Sequence, residues 1–217
     1  MTSDQEQAAQ PGDNSKKPAR RTRLKPGERR NQILQTLAQM LQEPGADRVT
    51  TAALAARMKV SEAALYRHFA SKAQMFEGLI DFIERSLFSL INRITTQEPN
   101  GRRQAIAIVE MLLGFAEKNP GMTRVLVGDA LILEDDRLQR RINQMIDRIG
   151  VAIKQSVRNG ITQDVESTGP VPVALDPEDI ASCLLSFVLG RWLRFVKSDF
   201  KKPPLASMAG IRRCVEV

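Results

Sequence analysis

Along Ser61-Glu62-Ala63-Ala64-Leu65-Tyr66-Arg67-His68-Phe69, small, hydroxyl-bearing and cationic side chains alternate with apolar ones at helical period. Leu65 and Phe69, four apart, form an inward stripe with Val60, whereas Ala63, Tyr66 and Arg67 share an outward face. A helix with one packed side and one short, hydrogen-bonding or cationic side suits the major groove of duplex DNA, where base edges are read by such groups and a methyl such as that of Ala63 can meet thymine. Ser61 can cap the start of this helix.

The elements that would position those residues are equally readable. A shorter helical pattern, Thr51 to Arg57, ends just before Met58-Lys59-Val60, which is helix-turn-helix spacing. Thr50 and Thr51 are capping candidates, Leu54 and Met58 face inward, and Ala55 allows a crossing helix to approach closely. Docked on DNA, Thr50, Thr51, Tyr66, His68 and Lys72 would mainly grip phosphates, and Ser61, Glu62, Ala63 and Arg67 would lie nearest base edges. Glu62 could accept from cytosine or serve only as a partner of the helix dipole, and Arg67 could instead pair with an acid behind its helix. Two short helices around a tight turn also occur in many helical cores, so spacing alone leaves both readings open.

Charge adds to the DNA reading. Between Lys16 and Arg30 stand eight basic side chains and a single acid, Glu28, a net +7 that equals the charge of all 217 residues. Such an arm ahead of a helix-turn-helix is attracted to phosphates, each one neutralised contributing roughly 0.9 to the salt slope of binding. The same run could be a solubilising tail or a segment drawn to anionic membrane. Residues 1–25, with Leu24 their only bulky aliphatic after Met1, are too polar to bury a core and are expected to be disordered. No secretory signal and no apolar run of membrane-spanning length is evident, so a cytoplasmic location is expected. Cys183 and Cys214 have no metal-type spacing and fit a reducing compartment without a disulfide.

Helical periods with few strand-like alternations predict an all-α fold: a helix-turn-helix three-helix head over 26–70 and a helical body over 71–200, with 201–217 a flexible tail. The first helix should run from Pro26 or Gly27 to Glu43 and stop at Pro44-Gly45. Ser71 should cap a long helix to about Gln97 that joins head to body, followed by a buried helix over Ala105 to Ala116. A further helical pattern should end at Arg158 with Asn159-Gly160 as its stop, and 161–175 should be a loop. Asp176-Pro177 should start the last helix. The amphipathic stretches 137–158 and 177–199 could pair with their copies as a four-helix interface, or simply pack within one chain.

From Thr50 to Lys72, through Thr50-Thr51-Ala-Ala-Leu-Ala-Ala and Val60-Ser61-Glu-Ala-Ala-Leu-Tyr-Arg-His-Phe-Ala-Ser-Lys72, the sequence resembles the N-terminal head of the TetR repressor family. Gly114-Phe115-Ala-Glu-Lys-Asn119-Pro120-Gly121-Met-Thr123-Arg124, Leu131 through Gln139, and Arg141-Ile142-Asn143-Gln144 resemble one branch of it, the SlmA nucleoid occlusion factors. The resemblance covers roughly residues 28–158. It implies a homodimer on palindromic double-stranded DNA, with higher-order assembly left open, that engages the tubulin-like division protein FtsZ while bound to the nucleoid. It also implies a partner surface at Phe82, Met111, Gly114, Lys118 and Asn119, residues that could equally be core or loop. The family usually has glycine where Lys59 stands, a place that often needs positive φ, and lysine there should cost about 1 kcal/mol while offering a phosphate contact.

The alternative within the same fold is a ligand-responsive repressor with an effector pocket behind the head. An enzyme is poorly supported: the single histidine, His68, lies in the recognition helix, and there is no phosphate-binding glycine loop or cysteine-histidine cluster. No cofactor or metal is expected, and Glu134-Asp135-Asp136 reads as a solvated acidic helix start.

Overall fold

Short capping side chains set the helix boundaries of this chain. Ser71 Oγ accepts from the Gln74 amide at 3.1 Å, Asn100 Oδ1 from the Arg103 amide at 2.9 Å, and Asp176 Oδ1 from the Glu178 amide at 2.9 Å. The computed structural model describes residues 26–43, 49–168 and 176–215, and all of its regular structure there is helical. In order come α1 (Pro26–Leu41), α2 (Thr51–Arg57), α3 (Glu62–Tyr66), α4 (Lys72–Gln97), α5 (Gly101–Lys118), α6 (Pro120–Leu126), α7 (Asp136–Thr168), α8 (Pro177–Lys197) and α9 (Met208–Val215), with 3-10 turns at Asp129–Leu131 and Pro204–Ser207. The expected arm at 1–25 and residues 169–175 of the expected loop lie outside the described residues.

The head packs α1, α2 and α3 around Ile33, Leu37, Leu41, Leu54, Leu65 and Phe69, each at most 2% exposed. α4 leaves this core and enters the body, keeping Met75, Phe76, Leu79, Ile80, Ile83, Leu87 and Ile91 buried along its length. Its outer side is tied to α7 by a ladder of ion pairs: Arg137 to Glu77 at 3.0 Å, Arg141 to Asp81 and Glu84, and Arg148 to Glu84. The body centre is α5, buried through Ile108, Val109, Leu112 and Leu113 against α7 and α8. On α7, Leu138, Ile142, Met145, Ile149, Ile153 and Val157 repeat every three or four residues and are all at most 4% exposed.

The buried helix expected over Ala105 to Ala116 starts earlier, at Gly101 behind the Asn100 cap, and two larger expectations for the fold fail for nonlocal reasons. α7 does not stop at Asn159-Gly160 but continues to Thr168, so residues 161–168 are helix rather than loop. Gly160 is used for close approach: a Cβ on Gly101 would stand 2.2 Å from the Gly160 amide nitrogen, and one on Gly160 would stand 2.7 Å from the Arg102 amide nitrogen. The two backbones touch where α5 begins, and Gln163 continues the seam by accepting from the Gly101 amide at 2.9 Å and donating to the Pro99 carbonyl at 2.8 Å. Gly160→Ala gains helix propensity of about 1 kcal/mol but forces the crossing apart, and a net loss of about 1–3 kcal/mol is expected in urea unfolding. Unchanged stability in that variant would mean the crossing relaxes freely.

The second failure is the segment expected to be a flexible tail. After α8 the chain turns through Asp199 and Phe200, at φ 48° and 62°, and lays the Pro204–Ser207 turn and α9 on α5. The Phe200 ring meets Phe195 edge-on at 5.1 Å, Arg191 donates to the Pro203 and Pro204 carbonyls at 2.6 and 2.9 Å, and Met208 is 7% exposed. These contacts hold a non-glycine turn that is unfavourable on its own.

Candidate nucleic-acid interface

Ser61 and Thr50 build the head's working surface by capping. Ser61 Oγ accepts from the Ala64 amide at 3.3 Å and Thr50 Oγ1 from the Ala53 amide at 3.1 Å, which fixes where α3 and α2 begin. The turn between them closes with the Lys59 amide donating to Ala56 O and the Val60 amide to Ala55 O, both at 3.0 Å. Lys59 sits at φ 54°, the left-handed conformation anticipated for this position. Lys59→Gly should therefore raise the unfolding free energy by about 1 kcal/mol, read in urea. The glycine variant should also bind DNA with a shallower salt dependence, since an exposed cation is lost beside the recognition helix.

With Leu65 and Phe69 buried, Ala63, Tyr66 and Arg67 are all exposed, Tyr66 at 45%. Ser61, Glu62 and Thr50 are exposed beside them, and Thr51 and His68 are half-buried. Thr51 Oγ1 donates to Glu62 Oε2 at 2.6 Å, and the Tyr66 hydroxyl reaches Thr51 Oγ1 at 3.5 Å. Thr51 and Glu62 thus hold the two helix starts together through one oxygen of the exposed Glu62 carboxylate. Lys72 is not an open cation: it pairs with Glu134 of the body and lies 5.7 Å from the centre of the Phe76 ring. Glu134, read from sequence as part of a solvated acidic stretch, has a side chain only 12% exposed; α7 starts two residues later at Asp136.

Sequence reasoning missed a role for Arg30, which it counted only in the basic arm. Its guanidinium lies over the Phe69 ring at 4.1 Å and donates to the His68 carbonyl, pinning α1 to the end of the recognition segment. The arginine and the carbonyl it meets stand 38 residues apart, which leaves no local signal.

The residues implied as a partner surface fall on two elements. Phe82 is 41% exposed on α4. Met111, Gly114 and Lys118 share one face of α5 by their spacing, and of these Lys118 is exposed. Asn119 ends that helix with its Nδ2 donating to the Phe115 carbonyl at 2.8 Å. The C-terminal segment borders this face: a Cβ on Gly114 would stand 3.8 Å from Leu205, and Arg212 pairs with Glu110. Among the described residues no helix is long and apolar enough to cross a membrane.

Residues 33–79 match the family model for "Bacterial regulatory proteins, tetR family", and residues 103–211 match "Tetracyclin repressor-like, C-terminal domain" of the SlmA-like type. The nucleoid occlusion factor SlmA of Vibrio cholerae is 50% identical over 180 residues, covering 82% of this chain and 89% of that relative. SlmA of Aliivibrio fischeri is 48% identical, covering 81% of this chain and 88% of its own length. Among solved structures, a TetR-family transcriptional regulator from Agrobacterium tumefaciens superposes with a TM-score of 0.71 at 15% identity, covering 88% of this chain and 98% of that one, which speaks for the fold alone. With both models matched in order and half the residues shared over most of its length, the chain belongs to the SlmA nucleoid occlusion factors of the TetR family.

Proposed function

We propose that the chain is a nucleoid occlusion factor that binds a palindromic DNA element as a homodimer and, while on DNA, engages FtsZ to oppose division-ring assembly over the chromosome. The observation that carries the DNA step is the α3 surface: Ala63 and Tyr66 on the helix and Arg67 at its C-cap are exposed together, with Leu65 and Phe69 packed behind them. FtsZ as the partner follows from the resemblance to the SlmA branch, and that function places the protein in the cytoplasm on the nucleoid.

The outer side of α8 supports a dimer. Ser182, Cys183, Ser186, Gly190 and Leu193 are exposed along it, and Val151 stands 67% exposed on the neighbouring α7. A Cβ on Gly190 would meet nothing within 4 Å, so this mid-helix glycine, which costs helix stability, serves no close approach among the described residues. A second copy crossing there would use it.

A ligand-responsive repressor would need room among the body helices. That interior is filled by Ile108, Val109, Leu112, Ile149, Val188 and Trp192, none more than 0% exposed. Two recesses among the described residues lie outside that packed interior, one of about 240 Å³ between Leu41, Val49, Phe76 and residues 129–134, the other an open one on the surface of α4 and α7 beside Arg140.

The test is light scattering of purified FtsZ with GTP, adding this protein with a chromosomal fragment selected by its own binding, or with scrambled DNA. Disruption or altered bundling with the selected DNA alone is expected. Tight specific DNA binding with no effect on FtsZ would overturn the division role and leave a repressor.

A further inference from the structure

Lys72 and Glu134 face each other across the junction of head and body. Lys72 is the first residue of α4, directly behind the Ser71 cap and three residues beyond the last residue of the recognition segment. Glu134 belongs to the body, in the bend that leads into α7. Their side chains are 26% and 12% exposed, so the pair is far less screened than the other contacts of the head, such as Arg57 with Glu43 at 48% and 46%.

We propose that Glu134 sets the DNA affinity of the head by competing with backbone phosphate for the Lys72 ammonium. The proposal rests on the reading of the head as a DNA-binding unit and adds to it a residue, outside that head, that limits how tightly it binds.

The backbone that carries the carboxylate is held to the body. The Glu134 amide donates to the Leu131 carbonyl at 3.0 Å, and Leu131 is 5% exposed. Two residues before Leu131, Asp129 is tied to the body by Lys197 and, at 3.5 Å, by Arg124. The Glu134 backbone is therefore anchored to the body and not to the head. Lys72, by contrast, carries a point charge on a flexible four-carbon stem and can swing. When it does, a nearly buried carboxylate loses its cation, which is costly. The nearest arginine in sequence cannot step in, because Arg137 is engaged with Glu77 and with Asp135 at 3.0 and 3.2 Å.

A phosphate contact by Lys72 in the wild-type chain is thus an exchange of one anion for another and adds little net affinity. With glutamine at 134 the side chain still offers an oxygen to Lys72, but phosphate now wins the ammonium. Lys72 then counts fully as a neutralised phosphate.

The experiment is fluorescence anisotropy of a labelled duplex of random sequence, titrated with the purified full chain over a series of KCl concentrations. Phosphate contacts are independent of sequence, so no knowledge of the element is needed. Glu134→Gln is expected to bind about tenfold more tightly at low salt, with a salt slope steeper by about 0.9 for the one added phosphate contact. In a Lys72→Ala background the same substitution is expected to change nothing. Asp136→Asn makes the same charge change two residues on, at an exposed side chain, and is expected to leave the slope as it is. A thermal melt of each variant, together with Glu134→Ala as a second replacement, separates a charge effect from misfolding.

Wild-type slope and affinity in folded Glu134→Gln would overturn the competition while leaving the DNA-binding head intact. So would equal tightening with or without Lys72, which would mark a general field effect. Failure of the wild-type chain to bind any duplex would remove the reading of the head itself and the competition with it.

Discussion

A chain carrying Tyr66→Ala together with Arg67→Ala is expected to bind the DNA element selected by the wild-type chain at least about a hundredfold more weakly, with its thermal melt unchanged. Each side chain offers one good contact to phosphate or base edge, at roughly 1–3 kcal/mol apiece, and a dimer would lose them twice. Stability should hold because both are exposed, and surface replacements of that kind stay within about 0.5 kcal/mol. Leu65→Ala would also abolish binding, but through loss of the head: Leu65 is 1% exposed, and its truncation should cost about 2–5 kcal/mol. Arg67→Lys separates charge from shape. It keeps the positive charge, and so the salt slope, but it loses the planar two-pronged donor that reads guanine. Full affinity in the double variant would remove α3 as the reading helix.

What could be read in advance was what local chemistry decides. Thr50, Ser61, Ser71 and Asp176 cap where hydroxyl and carboxylate side chains precede an apolar period, because the cap needs only the two or three residues that follow it. The left-handed turn at Lys59 was legible only through the resemblance, because the family usually has glycine there and a lysine by itself signals no such turn. Asn159-Gly160 has the composition of a helix stop, yet its meaning lies in Gly101, on a different helix, and no window along the sequence contains both. The last residues look featureless until Pro204, Met208 and Arg212 are seen against α5.

The site residues divide along the same line. Exposure of Ala63, Tyr66 and Arg67 followed from helical period once Leu65 and Phe69 were assigned inward. The state of Glu62 and Lys72 did not, because each is decided by a partner elsewhere in the chain, Thr51 and Glu134. Long side chains on polar surfaces choose among several anions or hydroxyls within reach, and the sequence carries no distance between them. Arg30, claimed by Phe69, is the same lesson in an aromatic form.

Trp192→Ala should lower the unfolding free energy by about 3–5 kcal/mol. Trp192 is 0% exposed, and its indole N–H donates to the Leu112 carbonyl at 3.1 Å, so it seats α8 on α5 by both volume and hydrogen bond. Trp192→Phe keeps much of the volume and drops the donor, and about half the loss is expected. The opposite side of the same helix carries Gly190 and Leu193, the residues we assign to the second copy. Loosening the seat should therefore weaken the dimer as well as the fold, because the outward side chains are presented only as accurately as the inward ones are held. Urea unfolding reads the first effect and sedimentation across protein concentrations the second. A stability loss in the phenylalanine variant with unchanged dimer dissociation would show that the interface does not depend on how α8 is seated. A loss under about 1 kcal/mol in the alanine variant would instead place the weight of the body on α5 and α7 alone.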